Sequence, residues 1–216
     1  MRGIATGSRE HEAEPGAPSA NASDWLRARC VGLLNPVAEL LARLGVHPDT
    51  LTVVGWVLQV GIAVLFAMGH VCLGGALLLL AGPLDALDGA VARATGGERP
   101  FGAFLDSTLD RLSDAALILG LAALQFRQGA VLEMALFLAA LVGAFMVSYT
   151  RARAESLGIC CKVGILTRLE RILVIAVLSL FKATTILAWA LAVLSAVTVL
   201  QRVLHVHGVC AQRERR

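Results

Sequence analysis

The sequence predicts an all-α polytopic membrane protein: six transmembrane helices preceded by an amphipathic helix lying in the membrane interface. Three observations predict it. Of the 216 residues, 57% are hydrophobic and 16% charged, against about 45–50% and about 25% in soluble domains; mean hydropathy is +0.73. Six apolar stretches follow one another, each near the ~20 residues a helix needs to cross a bilayer. The 19 Lys and Arg residues are also spread unevenly over the connections between those stretches. A soluble fold of this composition would have a surface too apolar to stay dispersed. Barrel strands do not fit either, since they are about ten residues long and alternate in polarity.

Residues 1–23, MRGIATGSREHEAEPGAPSANAS, are polar and rich in Gly, Pro, Ser and Ala. They carry no apolar run that would serve as a secretory signal, and they read as a mobile cytoplasmic tail. One membrane domain then covers 24–205. It opens at 24–44, where Trp25, Val31, Leu33, Leu34, Val37, Leu40 and Leu41 recur at mostly helical spacing with arginines between them. Ser23 or Asp24 can cap this helix and Pro36 can bend it; the pattern suits the interface plane. GVHPDT breaks the pattern. Spans are expected at 50–69, 71–94, 101–126, 129–155, 167–182 and 183–204, the fifth short and joined to the sixth by a tight turn near Lys182. His205 and His207 mark the end of the last helix, and 206–216 reads as a basic cytoplasmic tail.

Charge orients the bundle. Of the basic residues, only Arg127 and Lys182 fall on the side that carries the Gly69-His70, Arg127-Gln128-Gly129 and Lys182 connections. The positive-inside rule makes that side extracytoplasmic. Both termini and the connections Arg93 to Arg99 and Arg151 to Arg171 are then cytoplasmic, in the cell membrane. A formal net charge of +3 without a basic run leaves no footprint for nucleic acid. Five cysteines, Cys30, Cys72, Cys160, Cys161 and Cys210, form no CxxC pair; they read as small hydrophobes in a reducing compartment rather than zinc ligands.

Against this apolar background, the stretch LDALDGAVARATGGERPFGAFLDSTLDRLSD from Leu84 carries Asp85, Asp88, Asp106, Asp110 and Asp114. A charge at bilayer depth costs on the order of 2.5 kcal/mol or more and persists where function needs it. Asp85 and Asp88 are three apart and share a helix face; Asp106 and Asp110, four apart, share another. The short ATGGERPF connection makes the two helices antiparallel neighbours, so both pairs converge near the cytoplasmic end. Four convergent carboxylates repel one another unless cations or protons neutralise them. An all-oxygen shell suits Mg2+ or Mn2+, and two such ions could clamp a pyrophosphate for displacement at phosphorus. Gly89, Ala92 and Gly102 leave room for a nucleotide and Arg93 can hold a phosphate. The same acids would also suit an ion or proton pathway, so a transporter stands as the alternative of a different class.

Eight fixed residues across twenty-six positions, Asp85-x2-Asp88-Gly89-x2-Ala92-Arg93-x8-Gly102-x3-Asp106-x3-Asp110, resemble the complete signature of the CDP-alcohol phosphotransferases. The layout of an interfacial helix and six membrane helices resembles that family too. The resemblance implies a CDP-linked lipid donor, usually CDP-diacylglycerol, whose phosphatidyl group passes to an alcohol while CMP leaves. It implies that Asp85, Asp88, Asp106 and Asp110 bind two divalent cations, Mg2+ or Mn2+, and that Asp110 is also the base on the acceptor hydroxyl. Asp88, Gly89, Ala92, Arg93 and Gly102 would line the CDP site. PDTLT before the first span is similar to the family's P-N-x-x-T element, with Asp49 in place of Asn, which adds Thr52 to that site. A homodimer among membrane lipids is a further implication of the family.

The acceptor is read from VSYTRARAESLGICCKVGILTRLERILVI, whose cations sit at the cytoplasmic ends of the fourth and fifth spans, opposite the acids. Ser148 and Arg151 are three apart, as are Arg168 and Arg171. Guanidinium groups grip phosphate through a bidentate fork, so this pocket suits a phosphorylated polyol better than a neutral or cationic alcohol. Arg153 and Lys162 read instead as anchors to anionic lipid heads. The segment resembles the actinobacterial phosphatidylinositol phosphate synthases within the family, in which SYxxARAE and R-x-E-R carry the inositol phosphate site. That resemblance implies acceptor roles for Ser148, Arg151 and Arg171, with either Arg202 or Arg213 as a further contributor, and inositol 1-phosphate as the acceptor. Glycerol 3-phosphate is the alternative within the same chemistry.

Overall fold

A computed structural model describes residues 47–94 and 99–215, the side chains of 83–90 and 92–94 excepted. The expected tail at 1–23 and the expected interfacial helix at 24–44 lie outside the described residues. Among the described residues there are six helices and no strand: α1 Pro48–Met68, α2 Val71–Ala94, α3 Pro100–Arg127, α4 Val131–Ser156, α5 Arg168–Leu180 and α6 Thr184–Glu214. By length and composition, α1, α4 and α6 are each apolar enough to cross a membrane. The chain is an all-α membrane protein.

Local chemistry sets the boundaries. Pro48 begins α1 after His47, whose ring accepts a hydrogen bond from the Asp49 N–H, and proline is pre-organised for a first helical position. Gly69, at φ 93°, ends α1 in the left-handed conformation, a backbone state open to glycine at little cost. Pro100 starts α3 in the same way. At α5, Thr167 and Glu170 form a capping box, each side chain meeting the other's backbone N–H. The fifth helix spans Arg168–Leu180, about 20 Å at 1.5 Å per residue, shorter than the ~30 Å hydrocarbon layer. The sixth corrects an expectation: it does not stop at His205 and His207 but continues to Glu214. Hydropathy falls there without ending the helix, because Val206, Val209 and Cys210 still pack inward.

Each helix has two principal neighbours, which closes a ring in the order α1, α2, α5, α6, α4, α3. Small residues bring the backbones close, as at membrane helix interfaces generally. Gly120 of α3 lies so near the Ala63 carbonyl of α1 that a Cβ there would collide with it. A Cβ on Gly75 would lie 2.7 Å from the Ala176 carbonyl oxygen, and one on Gly143 would lie 2.6 Å from Ser195 Cβ. The ring interior is filled by Phe66, Leu117, Ile118, Leu121, Phe137, Ile175, Leu187 and Leu191, all fully buried. Contacts between Asp49 and Gly102 at one end and between Arg127 and the Ala67 carbonyl at the other make α1 and α3 parallel. The start of α3, the end of α4 and the start of α5 therefore gather at one end of the ring.

Candidate active site

That end is built around a stripe of acids on α3. Asp106 and Asp110 are one turn apart and half-buried, and Asp114, one turn further in, is buried. Arg168 and Arg171 approach from the first turn of α5, on the far side of the ring. Arg168 Nη2 lies 2.9 Å from Asp110 Oδ1, and Arg171 Nη1 lies 2.5 Å from Asp114 Oδ2. Two rungs thus cross the interior, and the sequence-predicted base Asp110 meets one of the acceptor arginines, Arg168, directly. Two cations in the first turn of a helix oppose its dipole; the facing carboxylates offset that cost.

The nucleotide-site candidates converge on the same end. The Thr52 hydroxyl donates to the Pro48 carbonyl at 3.2 Å, inside the first turn of α1. Gly102 faces that turn so closely that a Cβ would sit 3.2 Å from Asp49 Oδ1, and Arg99 lies 3.8 Å from the same oxygen. Asp85, Asp88, Gly89, Ala92 and Arg93 lie in the C-terminal half of α2, which packs between α1 and α5; their side chains lie outside the described ones. The expected donors are all carboxylate oxygens, which are hard, and Asp106 and Asp110 are half-buried; this fits Mg2+ or Mn2+ rather than a soft metal. Among the described residues no group of three or more His, Cys, Asp or Glu stands together. Asp106 and Asp110 are the described half of the expected set; the other half rides on α2, which among the described contacts lies on the opposite side of α1 from α3 rather than directly against it as the short connection suggested.

The remaining acceptor candidates divide. Ser148 is half-buried on α4, beside Val147, whose carbonyl accepts from Arg202 Nη1. Arg151 is exposed and donates along its own helix to Glu155 at 2.8 Å. Arg202 and Arg213 separate clearly. Arg202 is 2% exposed, donates to the Val163 carbonyl at 2.9 Å and lies within electrostatic reach of Arg151 and Arg171. Arg213 donates to the Gly158 carbonyl at 2.9 Å, at the outer end of the α4–α5 connector.

The residues sequence reasoning left without a role are those that hold this connector. Thr198 accepts from the Leu166 N–H at 3.0 Å, and the His205 ring meets the Cys160 carbonyl at 3.1 Å. With Arg202 and Arg213 they form a row along α6, clasping residues 158–166. Cys161 is fully buried beneath the connector among Ile159, Val206, Val209 and Cys210, as its reading as a small hydrophobe requires. Only the i, i+4 continuation from Asp110 to Asp114 was a visible signal; bonds from side chains to a distant backbone leave no pattern in sequence.

The sequence model of the CDP-alcohol phosphatidyltransferases matches residues 45–201. The chain belongs to this family. Membership makes it an enzyme of phospholipid chemistry, and residues 85–110 fall within the match. The chain is 42% identical over 171 residues to the archaetidylinositol phosphate synthase of Pyrococcus horikoshii, covering 79% of this chain and 88% of that one. Its fold resembles the crystal structure of Mycobacterium tuberculosis phosphatidylinositol phosphate synthase with CDP-DAG bound. The TM-score is 0.76 at 34% identity, over 80% of this chain and 92% of that chain. A second structure of the same enzyme, in complex with manganese and citrate, gives a TM-score of 0.73 at 34% identity, over 80% and 88%.

Proposed function

We propose that this chain transfers the phosphatidyl-type group of a CDP-linked lipid to inositol 1-phosphate, giving phosphatidylinositol phosphate and CMP, at the cytoplasmic face of the cell membrane. The observation that carries the reading is the contact between Asp110 and Arg168 at 2.9 Å. It joins the carboxylate suited to take a hydroxyl proton to a guanidinium suited to hold that alcohol's phosphate. The names of the relatives, and the CDP-DAG and manganese in the solved structures, support donor, acceptor class and cation alike. The uneven distribution of Lys and Arg supports the orientation.

In this mechanism Asp85, Asp88, Asp106 and Asp110 would hold two divalent cations, and Thr52, Asp88, Gly89, Ala92, Arg93 and Gly102 would line the CDP moiety. Bound Mg2+ or Mn2+ supplies charge neutralisation on the pyrophosphate oxygens. Ser148, Arg151, Arg168 and Arg171 hold the acceptor by its phosphate and so present a ring hydroxyl to the donor. The hydroxyl oxygen bonds to the lipid-side phosphorus as the bond from that phosphorus to the CMP oxygen breaks. Asp110 takes the hydroxyl proton, and CMP departs with the bonding electron pair. Between phosphorylated acceptors charge does not discriminate, so ring shape and hydroxyl contacts select inositol.

The test is CMP release by the purified chain from CDP-diacylglycerol and from its archaeal ether counterpart. Release that requires both inositol 1-phosphate and Mg2+ or Mn2+ is expected. Ion movement across sealed vesicles without nucleotide, and no CMP release, would replace the enzyme by a transporter.

A further inference from the structure

Asp114 lies outside the eight-residue signature, one turn beyond Asp110 on α3. It is 4% exposed, and its Oδ2 lies 2.5 Å from Nη1 of Arg171, which is 1% exposed. Nε of that same guanidinium is buried with no hydrogen-bond partner among the described residues. A buried N–H without a partner carries a desolvation cost that a bound acceptor oxygen would remove. A charged pair that served only to tie α3 to α5 would be expected to satisfy all of its donors, since interior ion pairs gain little otherwise. The neighbouring rung, Arg168 with Asp110, lies one turn nearer the start of α3, so Arg171 sits directly behind the pair assigned to the acceptor.

We propose that Asp114 is a positioning residue for the acceptor. It holds one nitrogen of the Arg171 guanidinium and thereby fixes the fork so that its remaining N–H groups meet the phosphate of a phosphorylated polyol. The inference rests on the reading of Arg171 as an acceptor-phosphate residue. It adds that the geometry of Arg171 is set from α3, by a carboxylate that touches neither substrate. A guanidinium released from this carboxylate keeps its charge but loses its direction, and bidentate recognition depends on direction.

The experiment uses the full chain in lipid nanodiscs, with Asp114→Asn, Asp114→Glu, Arg171→Gln and the double variant Asp114→Asn/Arg171→Gln. KM for inositol 1-phosphate, KM for the CDP-linked lipid and kcat are measured for each. So is the rise in unfolding temperature caused by inositol 1-phosphate in the absence of donor. Asp114→Asn is expected to raise the acceptor KM about tenfold, as for one charge-assisted contact, with the donor KM unchanged and the acceptor-induced thermal shift lost. Asp114→Glu, which keeps the charge, should restore part of both. In the Arg171→Gln background the Asp114 change should add nothing to the acceptor KM. If Asp114→Asn does not fold, the double variant, which buries no unpaired charge, and Asp114→Glu carry the same comparison. Equal weakening of donor and acceptor, or an Asp114→Asn effect that persists undiminished in the Arg171→Gln background, overturns the proposal and makes Asp114 a structural tie. An unchanged acceptor KM in Arg171→Gln overturns the reading of Arg171 itself, which separates that failure from a failure confined to Asp114.

Discussion

Asp110 and Arg168 meet across the ring, and substitution at Arg168 and at the neighbouring acid Asp106 is expected to have different signatures. In the proposed mechanism, removing the Arg168 charge deprives the acceptor phosphate of a partner while the donor keeps all of its contacts. Arg168→Gln is therefore expected to raise the KM for inositol 1-phosphate ten- to a hundredfold, about 1.5–3 kcal/mol, with little change in the donor KM. Steady-state kinetics in both substrates check it; equal weakening of both would return Arg168 to the role of a helix anchor. Asp106, one turn before Asp110 and half-buried, is assigned to the cation set in the proposed mechanism. Asp106→Asn is expected to abolish transfer while the protein elutes and melts as the unmodified chain does, because Asn preserves shape but not charge. Turnover near the unmodified rate would remove the two-cation mechanism. These acids were legible in the sequence because charge in an apolar segment is conspicuous and their spacing puts them on one face. The pairing of Asp114 with Arg171 was not legible, because the partner lies 57 positions away on another helix.

The helices themselves were legible wherever lipid contact decides the residue types. The expected spans at 71–94 and 101–126 correspond to α2 Val71–Ala94 and α3 Pro100–Arg127. Where a helix leaves the apolar layer, hydropathy stops reporting on it. The continuation of α6 past His207 is carried instead by Val206, Val209 and Cys210 packing beneath the α4–α5 connector. That outer part of α6 and the turn before it act as a splint for the connector. Thr198→Val keeps the side-chain shape but leaves the buried Leu166 N–H without its acceptor, and is expected to destabilise the fold by about 1–3 kcal/mol. Thermal unfolding in detergent checks it, and an unchanged midpoint would dismiss the clasp. At the α1–α3 contact, Gly120→Val would push a branched side chain into the Ala63 carbonyl. A drop in unfolding temperature is expected, since overpacking at such a contact costs about 1–3 kcal/mol or more.

For the whole molecule, the ring collects its acids and arginines at one end, and the basic connections of the chain lie at that same end. Orientation in the membrane is thus tied to the chemistry. A membrane-impermeant maleimide applied to intact cells is expected to label a Lys182→Cys variant, in the turn between α5 and α6, and to spare the exposed Cys160 of the connector. The reverse pattern would invert the topology and put the site outside. The choice of acceptor is what most sets this enzyme apart from others of its family, and competition between acceptors decides it. Purified protein is supplied with labelled CDP-linked lipid, Mg2+ or Mn2+, and equal concentrations of inositol 1-phosphate, glycerol 3-phosphate and free myo-inositol, and the lipid products are separated by mass. A product that is overwhelmingly phosphatidylinositol phosphate, with free inositol nearly inert because it leaves the guanidinium groups without a partner, is the predicted result. Phosphatidylglycerol phosphate or unphosphorylated phosphatidylinositol as the main product would contradict it.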